Sequence, residues 1–374
     1  MRNMVGMRKR LFCDMAMAAC CALMALGQTL GQASGQASGP WVLEQSGTTA
    51  GLRGIHAVGG GVAWASGTNG TVLRTEDGGY EWQSCAMPPG AEKLDFRGVW
   101  AWDANTAIVM SSGTGNLSRI YKTTDGCSSW KLLFTNPDKD GFWDAMVFFD
   151  RRIGWLLGDP VNGRFQLWKT TAGGEKWERE ASSRALRADP KEQGAFAASN
   201  SALLAGGAGG GFPVFGSGGT SGAYVYRIAG ISVCLDDCAQ RPKDLWTRSS
   251  TPMAEGTASA GIFSVAAQGE RRVVVGGDYA KPNESAGTGA WSSDGGKTWV
   301  AAAQPPHGFR SAVAWDAEKQ AWIAAGTNGS DVSWDGGKTW VSLDDGNWNA
   351  LSLPWVVGPG GRIAKLDAGQ VKKP

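Results

Sequence analysis

Six short stretches place charged or polar side chains where they could act on a ligand. "LRGI", "FRGV" and "FRSA" carry Arg53, Arg97 and Arg310, each between an apolar residue and a small one, and "WNAL" sets Asn349 in the same frame. Guanidinium groups gathered at one place offer charge-assisted, often bidentate hydrogen bonds to carboxylates. "LLGDP" and "VVGGDY" put Asp159 and Asp278 after apolar runs. Two such carboxylates serve as acid and base in glycoside cleavage when they stand about 5 to 10 Å apart. Simpler roles compete with these: an arginine often pairs with a nearby acid or lies over a sheet edge, and an aspartate beside a turn often caps it.

What could gather these residues is a repeat. "SSDGGKTW" ending at Trp299 and "SWDGGKTW" ending at Trp340 share six consecutive letters. Altered copies end at Trp82 ("RTEDGGYEW"), Trp130 ("KTTDGCSSW") and Trp177 ("KTTAGGEKW"). Asp77, Asp125, Asp294 and Asp335 can each accept hydrogen bonds from amides just ahead, while the glycines supply positive φ. Each copy therefore reads as a hairpin turn, followed by a tryptophan that opens the returning strand. Before the turns come β-branched runs and Asn-Gly signals, as in "GIHAV", "VAWASG", "TNG" and "TVLRT". Four short antiparallel strands recurring at about 40 to 50 residues describe a β-propeller blade.

The blade number follows from the tryptophans that head the fourth strands. Trp82, Trp130, Trp177, Trp246, Trp299 and Trp340 step by 48, 47, 69, 53 and 41 residues. The tail "WNALSLPWVVGPGGRIAKL" supplies three strands without a fourth, and "GPWVLEQSG" near the start matches "KTWVSLDDG". Trp41 thus heads the missing strand. The expected fold class is all-β: a seven-bladed propeller of four antiparallel strands per blade over 40–374, its ring closed by an N-terminal strand. Nineteen Trp and 56 Gly with 19% charged residues suit buried inter-blade contacts and tight turns, and exclude a helical or disordered chain.

Residues 1–27 read differently. Arg8, Lys9 and Arg10 precede an apolar run with small residues at its end, which predicts a cleaved export signal and a periplasmic or extracellular location. "MAAC" resembles a lipoprotein box, but the apolar run continues past Cys20, which argues against a lipid anchor. The run is too short to span a bilayer. "GQASGQASG", within 28–39, is a spacer. Without the leader, 32 basic groups face 33 acidic ones, a net charge of about −1, with no basic run or aromatic ladder to suit nucleic acid. Four cysteines then remain: Cys85, Cys127, Cys234 and Cys238. They allow three disulfide connectivities, of which Cys234 with Cys238 is the expected pair; free buried thiols are the alternative. "CLDDC" has no second cysteine pair for zinc. The glycine-rich run near 205–222 lacks the Lys-Ser/Thr ending of a phosphate loop, so no metal or cofactor is expected.

The copies of S/T-x-D-G-G-x-x-W resemble the Asp-box of bacterial neuraminidase repeats. The pattern from Trp41 to Leu366, above all "GWLLGDPVNGRFQLWKTTAGGEKW", is similar to the photosystem II stability/assembly factor-like propellers of exported bacterial proteins. That resemblance implies a binding or assembly scaffold whose partner is an envelope protein or an acidic segment of one. Asp-box propellers also include sialidases and other glycosidases, so a glycoside hydrolase or a carbohydrate-binding propeller is the alternative. The sequence departs from the pattern at Ala172, which replaces the box aspartate. The fourth blade has no box, and the Phe/Tyr-Arg-Ile-Pro start of sialidases is missing.

If the boxes join strands three and four, the second-to-third turns and the blade linkers share the opposite face, which then carries the long loops and the first-strand starts. Arg53, Arg97 and Arg310 fall in blades one, two and six, with Asn349 in blade seven between them. They are expected to form a crescent at the channel mouth. Asp159 and Asp278, at equivalent second-strand ends of blades three and five, are the weaker catalytic candidates.

Overall fold

The computed structural model describes residues 39–180, 183–206, 212–228 and 245–373, and over them the chain is a seven-bladed β-propeller. Blade one shows the plan. Leu52–Gly59, Val62–Gly67, Val72–Thr75 and Gln83–Ser84 pair antiparallel in that order from the channel outward. Alternation and β-branching specify each strand, and the two-residue turns specify each reversal. The remaining blades follow at 96–135, 143–179, 203–250, 260–301, 312–344 and 350–366.

Blade seven is closed across the termini, as the matching of Trp41 with the other strand-opening tryptophans requires. Trp41–Glu44 lies beside Ile363–Leu366, with Trp41 opposite Leu366 and Glu44 opposite Ile363. Trp41 is buried and its Nε1 donates to Ser330 Oγ of blade six at 2.8 Å, so the closing strand also grips its neighbour. Between blades the core is aromatic and aliphatic. Trp82 meets Trp355 edge-on at 5.3 Å and Trp64 meets Trp130 at 6.4 Å, geometries favoured by the ring quadrupole.

The second glycine of each box explains its own presence. Gly79 has φ +95°, and a Cβ there would stand 2.3 Å from the Trp355 ring of the preceding blade. The turn needs both the positive φ and the bare backbone. In blade two this position is Cys127, held at φ +64° and bonded to Cys85 of blade one. The disulfide thus joins adjacent blades where blades one, three and six use close glycine contact. The expected Cys234–Cys238 pair, the leader and most of the spacer lie outside the described residues.

Blade five departs from the four-strand plan. Gln193–Gly194 and Gly218–Gly219 add two short strands at its inner edge, in the order Gln193–Gly194, Gly218–Gly219, Ala260–Gln268. They come from the long linker before blade four and from that blade's own turn. No helix among the described residues is long and apolar enough to cross a membrane.

Candidate functional site at the linker face

Backbone hydrogen bonds sort the loops onto two faces. On one, box turns meet first-to-second turns: Gly78 N donates to Gly61 O, Gly126 N to Asn105 O and Gly295 N to Glu270 O. On the other, second-to-third turns meet linkers: Gly70 N donates to Leu94 O, Ala188 N to Gly163 O and Phe309 N to Pro282 O. The starts of the inner strands lie on this linker face. There the pairing with the second strand slips by one residue in blades one, two, three and five, at Arg53, Arg97, Asp144 and Phe263. A bulge of this kind re-aims one side chain. Asn200, Arg310 and Asn349 hold the same place in blades four, six and seven.

The four residues expected to bind a ligand have different surroundings. Arg310 is fully buried: Nε donates to Asp331 Oδ2 at 2.6 Å, and NH1 to Phe309 O at 2.7 Å and Asn328 Oδ1 at 2.6 Å. His307 completes this group, its Nδ1 2.7 Å from Asp331 Oδ1. The expectation that Arg310 lines the mouth is therefore corrected. A buried guanidinium is tolerated only when paired and bonded in this way, so Arg310 joins turn and strands inside blade six. Asn349 is instead a stitch between blades seven and one, its Nδ2 donating to Leu52 O at 2.7 Å.

Arg53 and Arg97 remain at the mouth, and both face Asp95. Arg97 Nε donates to Asp95 Oδ2 at 2.8 Å and NH1 to Ala197 O at 3.0 Å. Arg53 stands farther off, with Nε 3.8 Å from Asp95 Oδ1, a side chain 34% exposed, and that nitrogen buried without a hydrogen bond. Two guanidinium groups thus share one carboxylate, and burial holds the Arg53 pKa below its ordinary value despite Asp95.

Residues 195–201 occupy much of the mouth. Ala195 N donates to Asp159 Oδ1 in blade three at 2.9 Å, and the Ala197 carbonyl receives Arg97 of blade two. Phe196 stacks on Phe263 of blade five with centroids 3.8 Å apart. Ser199 Oγ donates to Ser311 O beside blade six at 2.6 Å, and Asn200 exchanges hydrogen bonds with both backbone groups of Met146 at 2.8 and 2.9 Å. The segment thus reaches from blade two to blade six, passing close over Gly98, where a Cβ would lie 2.7 Å from Asn200 Oδ1. Its sequence sign is the long step of 69 residues between Trp177 and Trp246 combined with the small-residue run "AFAASNS".

Asp159 and Asp278 share no hydrogen-bond partner among the described residues. Asp278 accepts from Thr257 Oγ1 at 3.2 Å and Ala280 N at 2.9 Å, and sits below the usual carboxylate range. Asp159 instead lies with Asp144, which the sequence did not single out. Burial pushes Asp159 up to about 6. Asp144 is pushed well above its ordinary value by burial and by Asp159, and its Oδ2 has no hydrogen bond. Asp144 is 1% exposed, and Asp159 fastens the crossing segment.

At the opposite face the box aspartates bind their own turns. Asp335 accepts from Lys338 N at 3.1 Å, Thr339 N at 2.9 Å and Thr339 Oγ1 at 2.7 Å. Asp294 does the same with Lys297 N at 2.9 Å, Thr298 N at 3.0 Å and Thr298 Oγ1 at 2.7 Å. Asp77 accepts from Glu81 N at 3.1 Å, and Asp125 from Ser129 N at 3.0 Å and Ser129 Oγ at 2.6 Å; these last bonds hold Asp125 at about 2. In blade three, with Ala172 in place of the aspartate, the Thr170 hydroxyl still accepts from Ala172 N and Gly174 N.

No protein-family model and no curated protein sequence matches the chain. Solved structures do match. The chain is similar to YCF48 bound to D1 peptide, with a TM-score of 0.58 and 17% identity over 87% of this chain and 96% of that one. It is similar to YCF48 from Cyanidioschyzon merolae, with a TM-score of 0.54 and 16% identity over 88% and 99%. A family-74 xyloglucanase from Xanthomonas campestris overlaps with a TM-score of 0.37 and 17% identity, over 78% of this chain and 49% of that one. The resemblance to photosystem II assembly factor-like propellers is thus one of fold.

Proposed function

We propose that this protein is an exported binding or assembly scaffold that receives an acidic segment of an envelope protein on its linker face. The observation that carries the reading is Arg53. It is a half-exposed guanidinium at the mouth, on the side that the crossing segment does not engage. It shares Asp95 with a better-placed arginine and keeps Nε without a hydrogen bond. A carboxylate arriving at the exposed part of this side chain would add the charge-assisted pairing that the 3.8 Å contact with Asp95 does not complete. A propeller of the same fold, YCF48, has been solved bound to a D1 peptide, which supports a peptide as the kind of partner. The inter-blade disulfide favours an oxidising compartment.

Capture from the native envelope with wild-type, Arg53→Lys and Arg53→Ala protein tests this. The partner should be retained by wild type, weakened by lysine and lost with alanine at unchanged melting temperature, and added salt should weaken capture by wild type most. Equal capture by all three variants refutes the role of Arg53. Release of sugar from a glycoside panel, abolished by Asp159→Asn, would establish the glycosidase instead.

A further inference from the structure

The linker between blades three and four builds a second polar cleft. It is an open cleft of about 550 Å³, bounded by 187–190, Glu192 and Gln193 on one side and by Tyr224 and Arg248 of blade four on the other. A cleft of this size holds a small ligand or a few residues of peptide. Arg187 and Arg248 line it, and Arg164 stands directly opposite Arg187 in an antiparallel bridge. Opposed bridge residues have Cβ atoms about 4.5–5.5 Å apart, where like charges repel. Among the described residues none of these three arginines forms an ion pair. Arg248 lies over the Tyr224 ring at 4.7 Å and beside the Tyr226 hydroxyl, which holds the guanidinium at the cleft wall. Gln193 also lines the cleft, with its side chain buried against the Tyr226 hydroxyl.

Three guanidinium groups around one cleft have, among the described residues, no acidic partner in an ion pair, and a carboxylate would supply one through charge-assisted hydrogen bonds. The rim also carries Asp189 and Glu192. These repel a compact dianion such as phosphate but suit an ammonium group, so the opposite charges select a ligand carrying both. We infer that this cleft binds a short zwitterion, an amino acid or the free end of a peptide. Its carboxylate lies on Arg187 and Arg248, and its cationic group faces Asp189 and Glu192. The site is independent of Arg53.

Calorimetric titration of the full chain with the tripeptide Lys-Gly-Gly tests it, beside the C-terminal amide of that peptide and inorganic phosphate. Saturable binding of the free tripeptide is expected. Amidation, Arg187→Ala or Arg248→Ala should each weaken it by about tenfold or more, and Arg53→Ala should leave it unchanged. The amidation arm uses the unaltered protein, so it stands even if a variant misfolds. Absence of saturable heat, equal binding of the amide, or phosphate binding as tight as the tripeptide overturns the assignment.

Discussion

The Asp159 carboxylate accepts the Ala195 amide at 2.9 Å, fastening the segment that crosses the channel mouth to the end of a strand in blade three. Asp159 is raised to about 6 by burial, and its neighbour Asp144 is raised as well. Folded values above the unfolded ones mean that protonation favours the native state. This contribution is full below about pH 4 and is lost as pH rises through about 6. Stability should therefore fall on the order of 2 kcal/mol between pH 4 and 7 from Asp159, with Asp144 acting in the same direction. Melting curves of wild type and Asp144→Asn across that window check it, and the variant should show a flatter profile.

The box turns at the other face are structural. Asp335→Ala removes acceptors for Lys338 N, Thr339 N and Thr339 Oγ1 and should cost about 1 kcal/mol, a modest value because the turn is exposed. Ala172→Asp should raise the melting temperature by restoring the missing acceptor. A stabilising Asp335→Ala or a destabilising Ala172→Asp would contradict the turn mechanism.

Ring closure depends on residues near Trp41. Trp41→Ala should cost about 3–5 kcal/mol through the cavity left between blades six and seven. Deleting 40–45 should expose the edge of Ile363–Leu366 and cause aggregation. A truncated chain that stays monomeric with an unchanged denaturation midpoint would show that closure contributes little.

The Cys85–Cys127 bond spans 42 residues and should contribute roughly 2–4 kcal/mol. Reduction should lower the denaturation midpoint accordingly. Cys85→Ser with Cys127→Gly should recover part of the loss, because glycine adopts the positive φ at position 127 without steric cost. Equal midpoints for oxidised and reduced protein would exclude a stabilising role.

Blade number, strand order and closure were legible because each rests on local physics: Asp-Gly turns, alternation, and a tryptophan at each fourth strand. The linker face was legible from topology alone. The site was less so. Arg53, Arg97 and Arg310 occupy one repeat position, but Asp331 buries the third inside blade six while Asp95 leaves the first half-exposed, and repeat spacing says nothing of such partners. Asp144 lay unmarked in "WDAM", since its effect arises from burial beside Asp159. The crossing segment was hidden for a related reason: "AFAASNS" has no periodic signal, and its hydrogen bonds reach residues as far as 112 positions away.

Hydrogen–deuterium exchange of the protein alone and with its captured partner tests the binding role of the linker face most directly. Protection is predicted at 52–54 and 94–97 around Arg53 and Asp95, with the box turns at 76–79, 124–127, 293–296 and 334–337 unchanged. Protection confined to those turns, with exchange around Arg53 unaltered, would contradict it.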